Sequence, residues 1–149
     1  KVKNDTIYNI DGKFDAILYL HVLEHIEKDM EELEEAKKKL NNNGYLIIMV
    51  PAHQKLYSNF NKSIGHFRRY ERSFFRKDLI NLNRVKLMSL DTIGYVLYSL
   101  NKIFFKNENF PSNLKIFIWD KLFTPITIFV DLLTNYKFGK CILSIYKKN

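Results

Sequence analysis

The sequence predicts an α/β fold built on a parallel sheet, and three segments carry that prediction. "FDAILYL" (14–20) is a short, nearly continuous apolar run, the pattern of a strand buried on both faces. Ile26, Met30, Leu33, Ala36 and Leu40 then recur at helical spacing through "IEKDMEELEEAKKKL". A second apolar run, "YLIIMV" (45–50), ends at Pro51. Strand, amphipathic helix and strand at this spacing form a βαβ unit, which closes right-handed in a parallel sheet.

Each further element follows from its own chemistry. Acidic residues crowd the first half of the helix and Lys37, Lys38 and Lys39 its last turn, complementing the helix dipole. "NNNG" stops it, with Gly44 suited to a left-handed terminal position. Residues 52–72 show no period, and a connection of that length predicts a lid or binding loop. "SFFRKDLINLN" reads as a helix opening at Ser73, and "VKLMSLDTI" as a strand. "GYVLYSLNKIFF" and "LKIFIWDKLFTPITIFVDLL" read as two apolar helices joined by "KNENFPSN", and "GKCILSIYKKN" as a closing strand. The expected organisation is one domain: a βαβ core (1–51), an active-site loop (52–72), a helix and strand (73–93), an apolar helical insertion (94–138) and a final strand (139–149). Lys115, Asp120, Lys121, Asp131 and Pro125 interrupt the second apolar helix, which argues against a membrane span. A cap over the sheet is the first reading of the insertion, and a peripheral patch that meets lipid is the second.

Composition narrows the function classes. At 149 residues the chain is long enough for a single buried core, and 46% hydrophobic with 27% charged residues is ordinary globular usage. The single cysteine, Cys141, excludes an intrachain disulfide framework and fits a reducing compartment such as the cytoplasm. "KVKNDTIYNIDGKFD" holds no apolar signal region and begins without Met, so a piece of a longer protein is expected. The net charge of +8 invites a nucleic-acid reading, but the aromatics lie in apolar runs rather than among Arg and Lys, so no nucleic acid is expected. All five Arg (68, 69, 72, 76 and 84) fall in one short segment, where a planar bidentate cation is wanted. The four His (21, 25, 53 and 66) are grouped as well.

His21-x-x-Glu24-His25 shares its spacing with the inverted H-x-x-E-H zinc peptidases, in which the motif lies inside a helix. Here it follows a strand, before the helix that starts near Glu27, and no distinctive third ligand follows. The placement points elsewhere. His21, Glu24 and His25 come after the first strand and His53 after the second, so all belong to one edge of a parallel sheet, where ligands bind. Capping of a strand end by hydrogen bonding is the plainer reading for His53.

Taken together, "VLEHI" (22–26), "VPA" (50–52) and "GHFRRY" (65–70) at this spacing resemble the class I S-adenosylmethionine-dependent methyltransferases, with the likeness running from Phe14 to Leu79. "NNNG" before the second strand is similar to that family's glycine turn. The resemblance implies a Rossmann-like sheet of which this chain holds strands four to seven, with a helical insertion before the last. It implies S-adenosylmethionine as cofactor, with Leu20, His21 and Val22 bordering its methionine end. His25 and His66 are then the candidate catalytic bases for an acceptor hydroxyl. Arg68, Arg69 and Tyr70 would meet the acceptor, two adjacent Arg suiting a phosphate or carboxylate. Anchoring of the loop to the protein's own groups is the alternative for the Arg pair. Some relatives with an acidic residue, Glu and His at this strand end bind a divalent ion; His21 occupies the first of those positions here, and no metal ligand is assigned.

The departures are equally informative. The family's glycine-rich loop and the acidic residue that holds the cofactor ribose are absent, and no G-x-G occurs among five Gly. Asn61 stands where relatives of this branch often carry Asp. The expectation is therefore the C-terminal part of a methyltransferase acting on a small-molecule or lipid-linked acceptor. The alternative is a non-catalytic binding or regulatory module of the same shape.

Overall fold

A computed structural model describes residues 5–104, 121 and 123–149. Four strands form one mixed sheet: β1 (Phe14–Leu20), β2 (Leu40–Pro51), β3 (Asn83–Leu90) and β4 (Cys141–Lys147), in the order β1-β2-β4-β3. β1 and β2 run parallel, as the βαβ spacing requires, while β4 lies antiparallel between β2 and β3. Leu20 pairs with Met49, Pro51 with Cys141 and Cys141 with Leu90, so these residues meet along one edge of the sheet.

α1 (Asp29–Lys39) connects β1 to β2, with Asp29, Glu31 and Glu32 in its first turn and three Lys in its last. It covers one face of the sheet. Leu33, Ala36 and Leu40 join Tyr19, Leu46, Ile48, Val50, Ile142 and Tyr146 in the buried core. Leu46, Ile48 and Val50 alternate with half-exposed neighbours, so β2 is covered fully on that side only.

Three expectations need correction. β1 is not buried on both faces: Leu18 is 53% and Leu20 50% exposed, because β1 is an edge strand and no element among the described residues covers its outward face. The left-handed residue after α1 is Asn43 (φ 63°), not Gly44. Gly44 instead permits close strand pairing, since a Cβ there would approach the Asn41 carbonyl oxygen to 2.9 Å. Residues 73–83 do not form a helix. Two short 3₁₀ turns (Arg72–Phe74 and Leu79–Asn81) break at left-handed Ile80 and Asn81 and turn Phe75, Leu79 and Leu82 into the core.

The connection 52–72 is more ordered than an aperiodic loop. It holds a 3₁₀ turn (Gln54–Leu56), the short helix α2 (Asn59–Ser63) and a bridge between Ala52 and Tyr70. Beyond β3, α3 (Thr92–Phe104) and α4 (Thr124–Leu133) precede β4. Pro125, expected to interrupt a longer helix, lies in the first turn of α4, where its missing N–H costs nothing. The polar joint 106–113 and the expected helical stretch 114–120 lie outside the described residues. No helix among the described residues is long and apolar enough to cross a membrane.

Candidate active site at the strand ends

The chain leaves β1 through His21, whose left-handed backbone (φ 54°) turns it into a single 3₁₀ turn, Leu23–His25. A left-handed non-glycine residue carries strain, and here it swings Glu24 inward while leaving His25 at the surface. Glu24 is fully buried. Its Oε1 lies 3.2 Å from His21 Nδ1, and its Oε2 is the buried side-chain oxygen without a hydrogen-bond partner among the described residues. An orphaned carboxylate oxygen is costly, so one kept buried calls for a reason such as a catalytic role or a bound ion or water.

Residues 65–70 fold back over this turn. Gly65 adopts φ +82°, which only glycine takes without strain, and a Cβ there would sit 3.6 Å from His25 Nδ1. The Phe67 amide donates to the Glu24 carbonyl (2.8 Å), and Tyr57 Oη donates to the His66 carbonyl (2.6 Å). The His25 and His66 rings meet edge to face with centroids 4.5 Å apart.

Their partners define different proton states. His25 Nδ1 lies 3.2 Å from the Gly65 carbonyl, an acceptor, so the ring proton belongs on Nδ1 and the Nε2 lone pair is left available. His66 Nδ1 faces the Asn61 amide nitrogen at 3.4 Å, and the Asn61 oxygen is already used by the Ser58 amide (3.1 Å). Asn61 therefore donates, and neutral His66 carries its proton on Nε2. Burial lowers the His66 pKa below the usual histidine value, keeping it neutral. His21 is the opposite: contact with the Cys141 thiol, then with Glu24, raises its pKa to about 10. Glu24, His25 and His66 can each offer one ligand atom within 4.8 Å of the others, so among the described residues they form a group that could hold a cation. Coordination at His66 Nε2 would displace the proton that Asn61 fixes there.

The other expected site residues are placed as follows. Leu20 and Val22 are exposed at the strand end and flank His21. Arg68 pairs with Asp29 (2.7 Å) and donates to the Glu27 carbonyl (2.6 Å). Arg69 is buried, donating through Nε to the Ala52 carbonyl (2.6 Å), and its guanidinium lies 5.5 Å from the Tyr98 ring centroid. Tyr70, expected to meet an acceptor, is turned inward at 2% exposure, and its hydroxyl donates to Asp29 (2.9 Å). Arg69 and Tyr70 thus anchor the loop. His53 stands apart, with Nε2 on the Gly139 carbonyl (3.0 Å), as the strand-capping reading expects. The zinc-peptidase geometry is absent, since His21 and His25 share no helix.

Sequence reasoning put Glu24 at the ligand edge without giving it a role, and passed over Asp29 and Cys141. An acid set among the apolar residues of a strand end was the available signal for Glu24. Nothing local signals Asp29 or Cys141, whose partners come from 41 and 120 residues away in sequence.

No protein-family model matches the sequence, and no curated protein does. Solved structures do. The chain is similar to a SAM-dependent methyltransferase from Archaeoglobus fulgidus at a TM-score of 0.53 and 22% identity, over 99% of this chain and 66% of that one. It is also similar to a chain from the complex between the Haloferax volcanii Trm112 methyltransferase activator and a methyltransferase, at a TM-score of 0.55 and 11% identity. That match covers 96% of this chain and 59% of the other. The chain thus has a methyltransferase-like α/β fold and spans less than two thirds of the length of either relative.

Proposed function

We propose that this chain is the acceptor-side, C-terminal part of an S-adenosylmethionine-dependent methyltransferase. The observation that carries the proposal is the turn–loop pair at the strand ends, where His25, its Nδ1 on the Gly65 carbonyl, presents an Nε2 with no hydrogen-bond partner among the described residues, beside His66. When bound, the cofactor supplies a methyl group on a sulfonium, transferred in line to an acceptor. Leu20 and Val22 fit its methionine end because they leave an apolar, exposed ledge at the sheet edge. Cationic His21 beside them fits a carboxylate.

His25 acts as the base: its Nδ1–H is held by the Gly65 carbonyl, and its Nε2 takes the proton of an acceptor hydroxyl. His66 fixes the imidazole by ring contact and does not itself take the proton. Arg69 and Tyr70 hold the loop at the right height above the turn, which is how most of such a reaction is accelerated. Arg68, the more exposed of the two Arg, would meet an anionic group on a small or amphiphilic acceptor by exchanging its pair with Asp29. Strands four to seven of the sheet, a donor half outside this sequence and a cytoplasmic setting all belong to this reading. The outer edge of β1 supports it, since no strand among the described residues pairs there.

The absent G-x-G motif favours one second reading, a binding module that keeps the shape without catalysis. Calorimetric titration with S-adenosylhomocysteine separates them, on this chain and on one extended upstream in its reading frame. Binding by the extended protein alone, with turnover lost in His25→Ala and retained in His66→Gln, is the expected result. Equal turnover in wild type and His25→Ala would sink the assignment, and binding by neither chain would leave the module.

A further inference from the structure

α4 is an amphipathic helix mounted the wrong way round for a water-facing element. Its buried residues are polar. Thr127 and Asp131, one turn apart, face the start of α3, where Asp131 accepts the Asp91 and Thr92 amides at 2.8 Å each and Thr127 Oγ1 accepts the Ile93 amide at 3.1 Å. Those bonds satisfy the N-terminal donors of α3 and fix the rotation of α4 about its axis.

The rotation turns the apolar side outward. Ile126 is 43%, Ile128 63%, Phe129 61%, Leu132 62% and Leu133 69% exposed. At about 100° per residue these five cover roughly half the helix circumference, opposite Thr127 and Asp131. Phe138 just beyond is 58% exposed. Such a patch is not an ordinary solvent face.

The charges beside it choose the occupant. Between Lys121 and Lys140 the only carboxylate is Asp131, which is buried, whereas Lys121 and Lys137, at either end of α4, are exposed. An apolar face with exposed cations at both ends and, among the described residues of 121–140, no exposed anion complements an anionic bilayer surface, with side chains in the acyl boundary and ammonium groups at the headgroups. A second copy of this equally basic chain would place like charges against each other.

We propose that α4 is a peripheral membrane anchor that lays Ile128, Phe129 and Leu132 into an anionic lipid surface. The inference is independent of methyl transfer, because none of these residues touches the strand-end site. Flotation of the chain with phosphatidylcholine vesicles, with and without phosphatidylserine, tests it. The wild type should float with the anionic vesicles and largely not with the neutral ones. Ile128→Ser/Phe129→Ser/Leu132→Ser should bind about tenfold or more weakly while keeping the wild-type circular dichroism spectrum and melting transition. Lys121→Glu/Lys137→Glu, which alters no packed residue, should abolish the preference for anionic lipid. Absence of wild-type flotation on both vesicle types overturns the proposal. So does a concentration-dependent dimer in sedimentation that the triple variant dissociates, which would assign the face to a second copy.

Discussion

The two faces of the sheet contain similar residues and have opposite fates. On one, Tyr19, Leu46, Ile48, Val50, Ile142 and Tyr146 lie under α1 and the 72–82 turns, each at 6% exposure or less. On the other, Leu18 and Leu20 of β1 are about half exposed, and their register partners Ile47 and Met49 on β2 and Ile145 and Leu143 on β4 are only partly covered. An apolar strand becomes core only where a second layer lands on it. On that face the most exposed of these residues are on β1, one of the two edge strands among the described residues.

That contrast is sharpest in Leu46→Ala against Leu18→Ala. The first should cost about 2–5 kcal/mol in urea unfolding and the second less than about 0.5 kcal/mol. In a chain extended upstream the cost of Leu18→Ala should rise toward that of Leu46→Ala; an unchanged value would mean that nothing covers the open face. Tyr70→Phe comes next. It removes the hydroxyl that Tyr70 donates to the buried Asp29 carboxylate and should cost about 1.5–3 kcal/mol. A melting transition equal to wild type would show that the loop is held without the Tyr70 hydroxyl, by Arg68, Arg69 and the backbone bonds of Phe67 and His66.

Gly65→Ala should be smaller, about 1–2 kcal/mol from the left-handed strain, with its effect concentrated in the loop over the site. Amide exchange should quicken at Phe67, whose N–H is held by Glu24, and stay unchanged at Leu46. His21→Gln should have the smallest effect, below about 1 kcal/mol because the side chain is nearly half exposed, and it depends on pH. The folded-state pKa is raised from 6.5 to about 10, so the stabilisation is complete below the unfolded value and disappears as pH rises through the folded one. Melting temperatures of variant and wild type should therefore differ at about pH 6 and converge near about pH 10.5. A constant difference would show that His21 acts by shape alone.

The covered face was legible in the sequence because its cover is local. Leu33, Ala36 and Leu40 repeat at helical spacing directly beside the strands they cover, so pattern alone pairs them. The open face was misread for the complementary reason: "FDAILYL" has the same apolar content whether or not a layer lands on it. The turn at His21 and the kink at Ile80 were illegible because both residues take left-handed backbone that their side chains disfavour, and tertiary packing overrides that preference. At the site, His25 and His66 were readable as a pair from the motifs that contain them. The inward turn of Arg69 and Tyr70 was not, since it depends on Ala52 and Asp29, which reach the loop only through the folded sheet. In α4 the composition announced an apolar helix, while its rotation is set by two hydrogen-bond acceptors among ten residues.

The position of β4 also fixes an order of events in biosynthesis. β2 and β3 do not pair with each other; both wait for Cys141–Lys147 to enter the gap between them. The inner edge of β2 stays open from the synthesis of Pro51 and that of β3 from the synthesis of Leu90, until β4 is made, and closing them joins residues up to about a hundred positions apart. Such contacts form late and slowly. A ribosome stalled between Leu90 and Cys141 would display two unsatisfied strand edges, the usual template for misassembly with another chain.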